Sequence, residues 1–507
     1  MGMGGSQPAV EMRGITKVYP DGVVALRDVD FTVRKGEVHG LLGENGAGKT
    51  TLMRILYGEI EPSRGEIWIF GRRVKFRGPW DAIRQGVYMV YQQFSLVPAF
   101  TVLENLILAS SSMGRAKLQD VRRKAEKIER EIGLEVPLNA RVEELSVGVQ
   151  QKAEILKALM SEAKILVLDE PTSVLTPIEV RELMKLLSRL REMGITIIFI
   201  THKLREAKEI TDRITVLRRG RVVKVVETRD VSQEELAKMM VGREITFDIT
   251  KKAAKVGAPL LVVKDLWVRD DRGLMAVKGV SFELRAGEIL SIVGVAGNGQ
   301  RELVEAIVGI RPVEKGEVVF SGESITQMPP SEVYRRGLVY IPDSRAVGLI
   351  LDFNVTDNSI LTRLKQFLSG GRILWGEAQR YSSRIVKEFN VLVDSLRTPV
   401  RHLSGGNQQR LLVGREVASN PKVIIAAEPT HGLDVAATEY IRSLLLKLRD
   451  EGKAVLLVST DLDEVFQLSD RMAVIYEGQI MATGRPEDFT AEELGLLMGG
   501  VKCEAKS

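Results

Sequence analysis

Apolar residues follow two periods along this chain. From Glu179 onward, Val180, Leu183, Leu187 and Leu190 recur at three- and four-residue spacing, the stripe of a helix with one buried face. Gly194 closes that pattern, and the run "ITIIFI" from Ile195 reads as a strand buried on both faces. The same succession occurs elsewhere. "VHGLL" (Val38–Leu42) leads into "GENGAGKTTLMRIL", which continues as a helix, and "ILVLDEPT" (Ile165–Thr172) is an apolar strand with an acidic tip. Strands alternating with helical stripes predict an α/β fold with a largely parallel core sheet.

The pattern is written twice. "ALRDVDFTVRKGEVHGLLGENGAGKT" from Ala25 returns as "AVKGVSFELRAGEILSIVGVAGNGQR" from Ala276. "ELSVGVQQKAEILKALMSEAKILVLDEPT" from Glu144 returns as "HLSGGNQQRLLVGREVASNPKVIIAAEPT" from His402. With 507 residues the chain is too long for one core. We expect tandem domains over 1–243 and 260–507, joined by a polar linker at 244–259 that has no sustained apolar period and precedes the strand-like "LLVVKDL".

Composition narrows the class. Hydrophobic residues make up 44% and charged residues 27% of the chain, as in a folded globular protein. No apolar run approaches the roughly 18 residues of a membrane helix, and the N-terminus lacks the apolar segment of a signal peptide. The single cysteine, Cys503, excludes intrachain disulfides and cysteine-based zinc sites and fits a reducing compartment. A net charge of +5 is small for this length and reads as ordinary solvated surface.

Candidate chemistry gathers at strand ends of the first copy. "GENGAGKT" (Gly43–Thr50), between a strand and a helix, is a phosphate-binding loop. Gly43, Asn45, Gly46 and Gly48 let backbone N–H groups wrap phosphates at a helix N-terminus, and Thr51 continues that first turn. Lys49 would meet the β/γ-phosphates and Thr50 would ligate Mg2+. Two carboxylates at the tip of a buried strand are costly without a metal or a proton. Asp169 suits the Mg2+ shell, and Glu170 suits orienting an attacking water. His202, at the end of another strand, is a candidate γ-phosphate contact. Tyr19 is either an adenine-stacking ring or a core tyrosine.

The ordered set "GENGAGKTT", "VYQQF", "LSVGVQQ", "LVLDEPT" and "FITH", with "LSGGNQQR" in the second copy, resembles the nucleotide-binding domains of ABC transporters from about Val10 to about Met498. The resemblance implies two tandem P-loop domains, each with a parallel-core sheet and a helical subdomain, that pair head to tail around ATP and Mg2+. It gives Gln92 a role at the metal and the catalytic centre, beside Thr50 and Asp169. It also makes Ser404, Gly405, Gly406 and Asn407 a signature loop, with Asn407 in place of the family's glutamine.

Under that resemblance one composite site is complete: Lys49, Thr50, Gln92, Asp169, Glu170 and His202 with Ser404–Asn407. The other is degenerate. Gln300 replaces the lysine, Arg301 the threonine, Asp343 the glutamine, Ala427 the aspartate and Thr460 the histidine, while Glu428 is kept. Asp270 stands where Tyr19 does. The opposing loop, with Ser146 and Gly148, has Val147 and Val149 at the positions of a glycine and the signature glutamine. Thr176 occupies the place of Asp434.

Twin asymmetric domains of this kind resemble the ATP-hydrolysing subunits of simple-sugar and nucleoside importers. "LSVGVQQKAEILKAL" and "IIAAEPTHGLDV" are closer to the nucleoside branch than to the ribose or galactose branch, although Glu428 departs from that branch's glutamine. The resemblance implies an integral membrane permease and an extracytoplasmic solute-binding protein as partners, no nucleic acid, and a peripheral position on the cytoplasmic face of the membrane. A soluble twin-cassette ribosome-associated factor is the remote alternative. The short linker and the impaired second site argue against it.

Overall fold

The computed structural model describes residues 8–20, 22–44, 46–92, 94–111, 117–172, 175, 177–242 and 251–501. Asn45, Thr176, Cys503 and the 244–250 part of the expected linker lie outside the described residues. The chain divides into two compact units, Met1–Thr246 and Phe247–Ser507.

In the first unit a six-stranded sheet runs, in spatial order, Arg221–Glu227, Arg213–Arg218, Val38–Leu42, Thr196–Thr201, Ile165–Asp169 and Val87–Val90. The last five are mutually parallel; Arg221–Glu227 is the antiparallel edge. The apolar runs form central strands because alternate residues face two cores. Leu166, Leu168, Ile197 and Phe199 enter one core, against the helices Val102–Ser111, Leu118–Ile132, Val147–Met160 and Pro177–Glu192. Ile165, Val167, Ile198 and Ile200 enter the other, against the Lys49–Leu56 helix and a four-stranded antiparallel layer of Val24–Arg34, Pro8–Val18, Arg64–Ile69 and Arg72–Val74. Leu183, Leu187 and Leu190 are fully or almost fully buried along the Pro177–Glu192 helix.

The second unit repeats this architecture. Its six-stranded sheet is ordered Leu338–Ile341, Val423–Ala427, Ala454–Ser459, Ile289–Val293, Arg471–Tyr476 and Gln479–Gly484, again parallel except for the last strand. The described end of the expected linker is fastened to this unit: Arg449 Nη2 donates to Lys252 O at 3.0 Å, and Gly257 N donates to Ala286 O at 2.8 Å.

Parallel strands point their C-terminal ends the same way, and in open α/β sheets ligands bind beyond those ends. Here the ends carry Gly43, Gln92, Asp169, Glu170 and His202. Phe199 is central to the scaffold and has no solvent exposure. Phe199→Ala should lower the stability of the first unit by about 3–5 kcal/mol, read as an earlier chemical-denaturation transition for that unit.

Candidate nucleotide site

The glycine loop of the first unit is shaped by its backbone. A Cβ on Gly43 would lie 2.3 Å from Leu217 O, so no larger residue fits, and Gly48 holds φ 104° directly before the Lys49–Leu56 helix. Lys49 is buried and folds back over the loop, its Nζ donating to Gly43 O at 2.7 Å and Glu44 O at 3.1 Å. Burial pulls its ammonium below the ordinary lysine value, opposed by the charges of Glu170, Asp169 and Glu44.

Strand ends bring the rest to this loop. Thr50 Oγ1 donates to Asp169 Oδ2 at 3.2 Å. Burial and the neighbouring Glu170 push the Asp169 carboxyl up to about 6, against the Thr50 hydrogen bond and the Lys49 charge. Burial would also raise Glu170, but the hydrogen bond and charge of His202, with Lys49 and Lys203, outweigh it and hold this carboxyl below its usual value. His202 Nδ1 lies 3.1 Å from Glu170 Oε1, and Gln92 Nε2 makes a long contact to Glu170 Oε2 at 3.5 Å. Glu170 itself takes a left-handed backbone, φ 49°, the kind of strained conformation that functional sites often hold.

Tyr19 is partly buried and is not one of the fully buried apolar residues. Its hydroxyl is 3.4 Å from Thr51 Oγ1 and Lys17 Nζ is 5.5 Å from its ring centre. Gly46, φ 78°, faces open space. The donor set suits a hard octahedral cation: one carboxylate whose pKa is raised by burial and the Glu170 charge, one exposed hydroxyl, and a nearby amide. No group of three or more His, Cys, Asp or Glu side chains that could hold a metal occurs among the described residues. Mg2+ needs few protein ligands when phosphates and water supply the others.

The second unit keeps the backbone and changes the chemistry. Gly299 holds φ 96° before the Gln300–Ile307 helix. Gln300 is buried and satisfies the loop itself, with Nε2 donating to Val295 O at 2.9 Å and Oε1 accepting from Asn298 N at 2.9 Å. Arg301 turns aside to Glu305, Nε to Oε1 2.7 Å. Ala427 ends its strand without a carboxylate, and Asp343 is exposed. Glu428 repeats the left-handed conformation at φ 43° and accepts from Thr460 N at 2.7 Å.

Each signature-type loop caps a helix within its own unit. Ser404 Oγ accepts from Asn407 N at 3.4 Å at the start of Gly405–Val417, and Gly406 packs near Ala437. Both ends of the Asn407 amide are engaged, Nδ2 with Ser404 Oγ at 3.0 Å and Oδ1 with Leu392 N at 2.9 Å. Ser146 caps Val147–Met160 in the same way, Val147 is exposed, and a Cβ on Gly148 would run into Glu179.

Comparison with known proteins matches the family model described as "ABC transporter" twice, over residues 26–173 and 277–431. The chain belongs to this family. Among its relatives, a guanosine import ATP-binding protein of Bacillus subtilis is 44% identical over 97% of each chain. A nucleoside import ATP-binding protein of Lactococcus lactis is 42% identical over 98% of this chain and 99% of its own. A glucose import ATP-binding protein of Haloferax volcanii is 41% identical over 97% and 96%. ABC cassettes bind and hydrolyse ATP, and this chain carries two of them.

Sequence reasoning missed the buried groups that bind Ser95, three residues after Gln92. Glu154 is fully buried in a helical turn whose residues Ala153, Ile155 and Leu156 are also buried, and its carboxylate accepts from both Ser95 N and Ser95 Oγ. A charge in an otherwise apolar helical turn was the available signal.

Glu428 offers a test of the electrostatics. Burial, with the charges of Glu464 and Asp461, pushes it up to about 7 despite the Thr460 hydrogen bonds. Its native pKa exceeds the unfolded value, so wild-type stability falls as pH rises from the unfolded pKa through about 7. Glu428→Gln removes that dependence. Its thermal-denaturation midpoint relative to wild type should rise between pH 5 and pH 8, by on the order of 1–2 kcal/mol of stability.

Proposed function

We propose that this protein is the ATP-hydrolysing subunit of a nucleoside importer. Its one competent site would use Lys49, Thr50, Gln92, Asp169, Glu170 and His202 with the signature residues Ser404, Gly405, Gly406 and Asn407, and the site around Gln300, Arg301, Asp343, Ala427, Glu428 and Thr460 with Ser146 and Gly148 would be degenerate. The observation that carries this reading is the concentration of intact chemistry in one unit: a phosphate loop with its lysine, and a carboxylate held ionised by a histidine. The guanosine and nucleoside relatives, matched over nearly the whole chain, support the solute class.

In this account Lys49 and the loop N–H groups bind the β/γ-phosphates, and the Tyr19 ring stacks on adenine. Asn45, in the same loop, contributes to the phosphate cradle. Thr50, Asp169 and Gln92 would hold Mg2+, which, when bound, neutralises phosphate charge. Glu170 orients the attacking water and takes its proton. His202 Nδ1 keeps that carboxylate aimed, and its second ring nitrogen contacts the γ-phosphate. Closure of the two cassettes excludes water, and loss of the γ-phosphate bond releases them. An integral permease and an extracytoplasmic solute-binding protein complete the machine, with this subunit peripheral on the cytoplasmic side. No helix among the described residues is long and apolar enough to cross a membrane. The second reading is a simple-sugar importer, favoured by the glucose relative.

Glu170→Gln should reduce ATP turnover about 100-fold or more while preserving nucleotide binding, and Glu428→Gln should leave turnover within about twofold. Steady-state phosphate release by the purified subunit checks both. A crippled Glu428→Gln enzyme beside an active Glu170→Gln enzyme reverses the assignment.

A further inference from the structure

The segment that carries Gln92 is fastened on both sides. On one side Tyr91 donates its hydroxyl to Glu59 Oε1 at 2.5 Å, and Glu59 in turn accepts from Arg54 Nε at 2.5 Å. Arg54 lies on the Lys49–Leu56 helix, the helix that begins at the phosphate loop. On the other side Ser95 donates to Glu154 Oε1 from its backbone N at 2.5 Å and from Oγ at 2.9 Å. Lys157 Nζ closes this second cluster, 2.6 Å from Ser95 Oγ and 2.9 Å from Glu154 Oε2. Glu154 and Lys157 are buried and lie on the Val147–Met160 helix, which Ser146 caps. Gln92 is itself exposed and touches Glu170 only through a contact of 3.5 Å. Its own side chain does little to fix its place, so the anchors on either side must.

The second unit supplies a natural comparison, because both anchors are missing there together with the glutamine. Pro342 follows the strand at the position of Tyr91 and has no hydroxyl. Ile310 replaces Glu59, with the same backbone bond from its N to Glu305 O that Glu59 N makes to Arg54 O. Glu305 replaces Arg54 and pairs with Arg301 and Arg311 instead. Leu412 stands on the helix where Glu154 does and packs closely against Gly348, while Arg415 pairs with Glu416. An apolar contact and a rerouted ion pair serve where no glutamine has to be held. The polar anchors are therefore not a requirement of the fold, which is the same in both units. They accompany Gln92.

We propose that Tyr91–Glu59–Arg54 and Ser95–Glu154–Lys157 are paired positioning anchors. They set Gln92 against Glu170 and tie its place to two helices, one rising from the phosphate loop and one from the Ser146 loop. None of these six residues touches nucleotide; they act through Gln92. A buried ion pair receiving two hydrogen bonds from one residue defines position more sharply than an apolar contact does, because a broken bond leaves a charge unsatisfied. The inference rests on the reading that Gln92 serves the Mg2+-bound nucleotide of the first unit.

The test uses the full-length chain with the double substitution Tyr91→Phe/Ser95→Ala, which deletes only two hydroxyl oxygens, beside Gln92→Ala and the triple combination. Affinity for a fluorescent ATP analogue is measured with Mg2+ and with EDTA, together with kcat and thermal midpoint. The double variant should lose about tenfold of the Mg2+-dependent gain in affinity and a similar factor in kcat, with affinity in EDTA and thermal midpoint close to wild type. Combined with Gln92→Ala it should cause less than about twofold further loss, the non-additivity of groups acting through one side chain. Glu154→Gln should behave like the double variant, and Lys157→Arg should retain most function. Wild-type behaviour of the double variant beside an impaired Gln92→Ala enzyme would overturn the proposal. So would equal losses with and without Mg2+, or losses that multiply with Gln92→Ala. If Gln92→Ala itself matches wild type while Glu170→Gln is inactive, the role assigned to Gln92 is wrong and the anchors fall with it. An active Glu170→Gln enzyme instead indicts the site reading as a whole.

Discussion

Two neighbouring carboxylates at the end of a buried strand are costly to ionise, and much of the first unit's site is arranged around that cost. Burial, with the Glu170 charge beside it, makes Asp169 hold its proton more tightly, while the His202 hydrogen bond and charge outweigh burial at Glu170. Lys49 and Thr50 reach toward the pair from the phosphate loop, and Gln92 from the adjoining strand. Such an arrangement is poised for added positive charge. In the proposed mechanism a magnesium nucleotide would bring a cation to Asp169 and phosphates to the glycine loop.

The second unit shows the same scaffold without that carboxylate pair, because Ala427 stands where Asp169 does. Replacing Lys49 by Gln300 and Asp169 by Ala427 removes one positive and one negative charge together, so the local balance survives. Gln300 takes over the structural part of the lysine's work: Lys49 bonds Gly43 O and Glu44 O, and Gln300 bonds Val295 O and Asn298 N. The loop keeps its shape without keeping its charge. Glu428 retains the backbone kink of Glu170 but accepts from a backbone N–H in place of a histidine ring. An architecture that can drop its chemistry without losing its fold explains why the two units share a sheet order and differ at the strand tips.

Much of this was legible in the sequence because it rests on local pattern. Continuous apolar runs such as Ile165–Leu168 and Thr196–Ile200 became strands buried on both faces, and the Leu183–Leu187–Leu190 stripe became a buried helix face. Motif order brought Thr50, Asp169, Glu170 and His202 to one place. Less legible was whatever depends on contacts distant in sequence between residues that are individually ordinary. Tyr19 could be read as a ring at the site or as a core residue, because stacking and burial ask for the same side chain. The antiparallel layer slips register repeatedly between Pro8 and Val18, which blurs the two-residue alternation that would mark its strands. Glu59 and Glu154 carry no motif; each has a role only because Tyr91 or Ser95 arrives beside it.

Trapping with Mg2+ and vanadate measures whether a single nucleotide per chain reaches the hydrolytic transition state. Vanadate occupies the place of the departing phosphate, so only a hydrolytic site retains ADP. One ADP should be trapped per chain, with trapping abolished by Lys49→Ala and unaffected by Gln300→Ala. Two trapped nucleotides per chain, or trapping that survives Lys49→Ala and is lost with Gln300→Ala, would contradict a single hydrolytic site in the first unit.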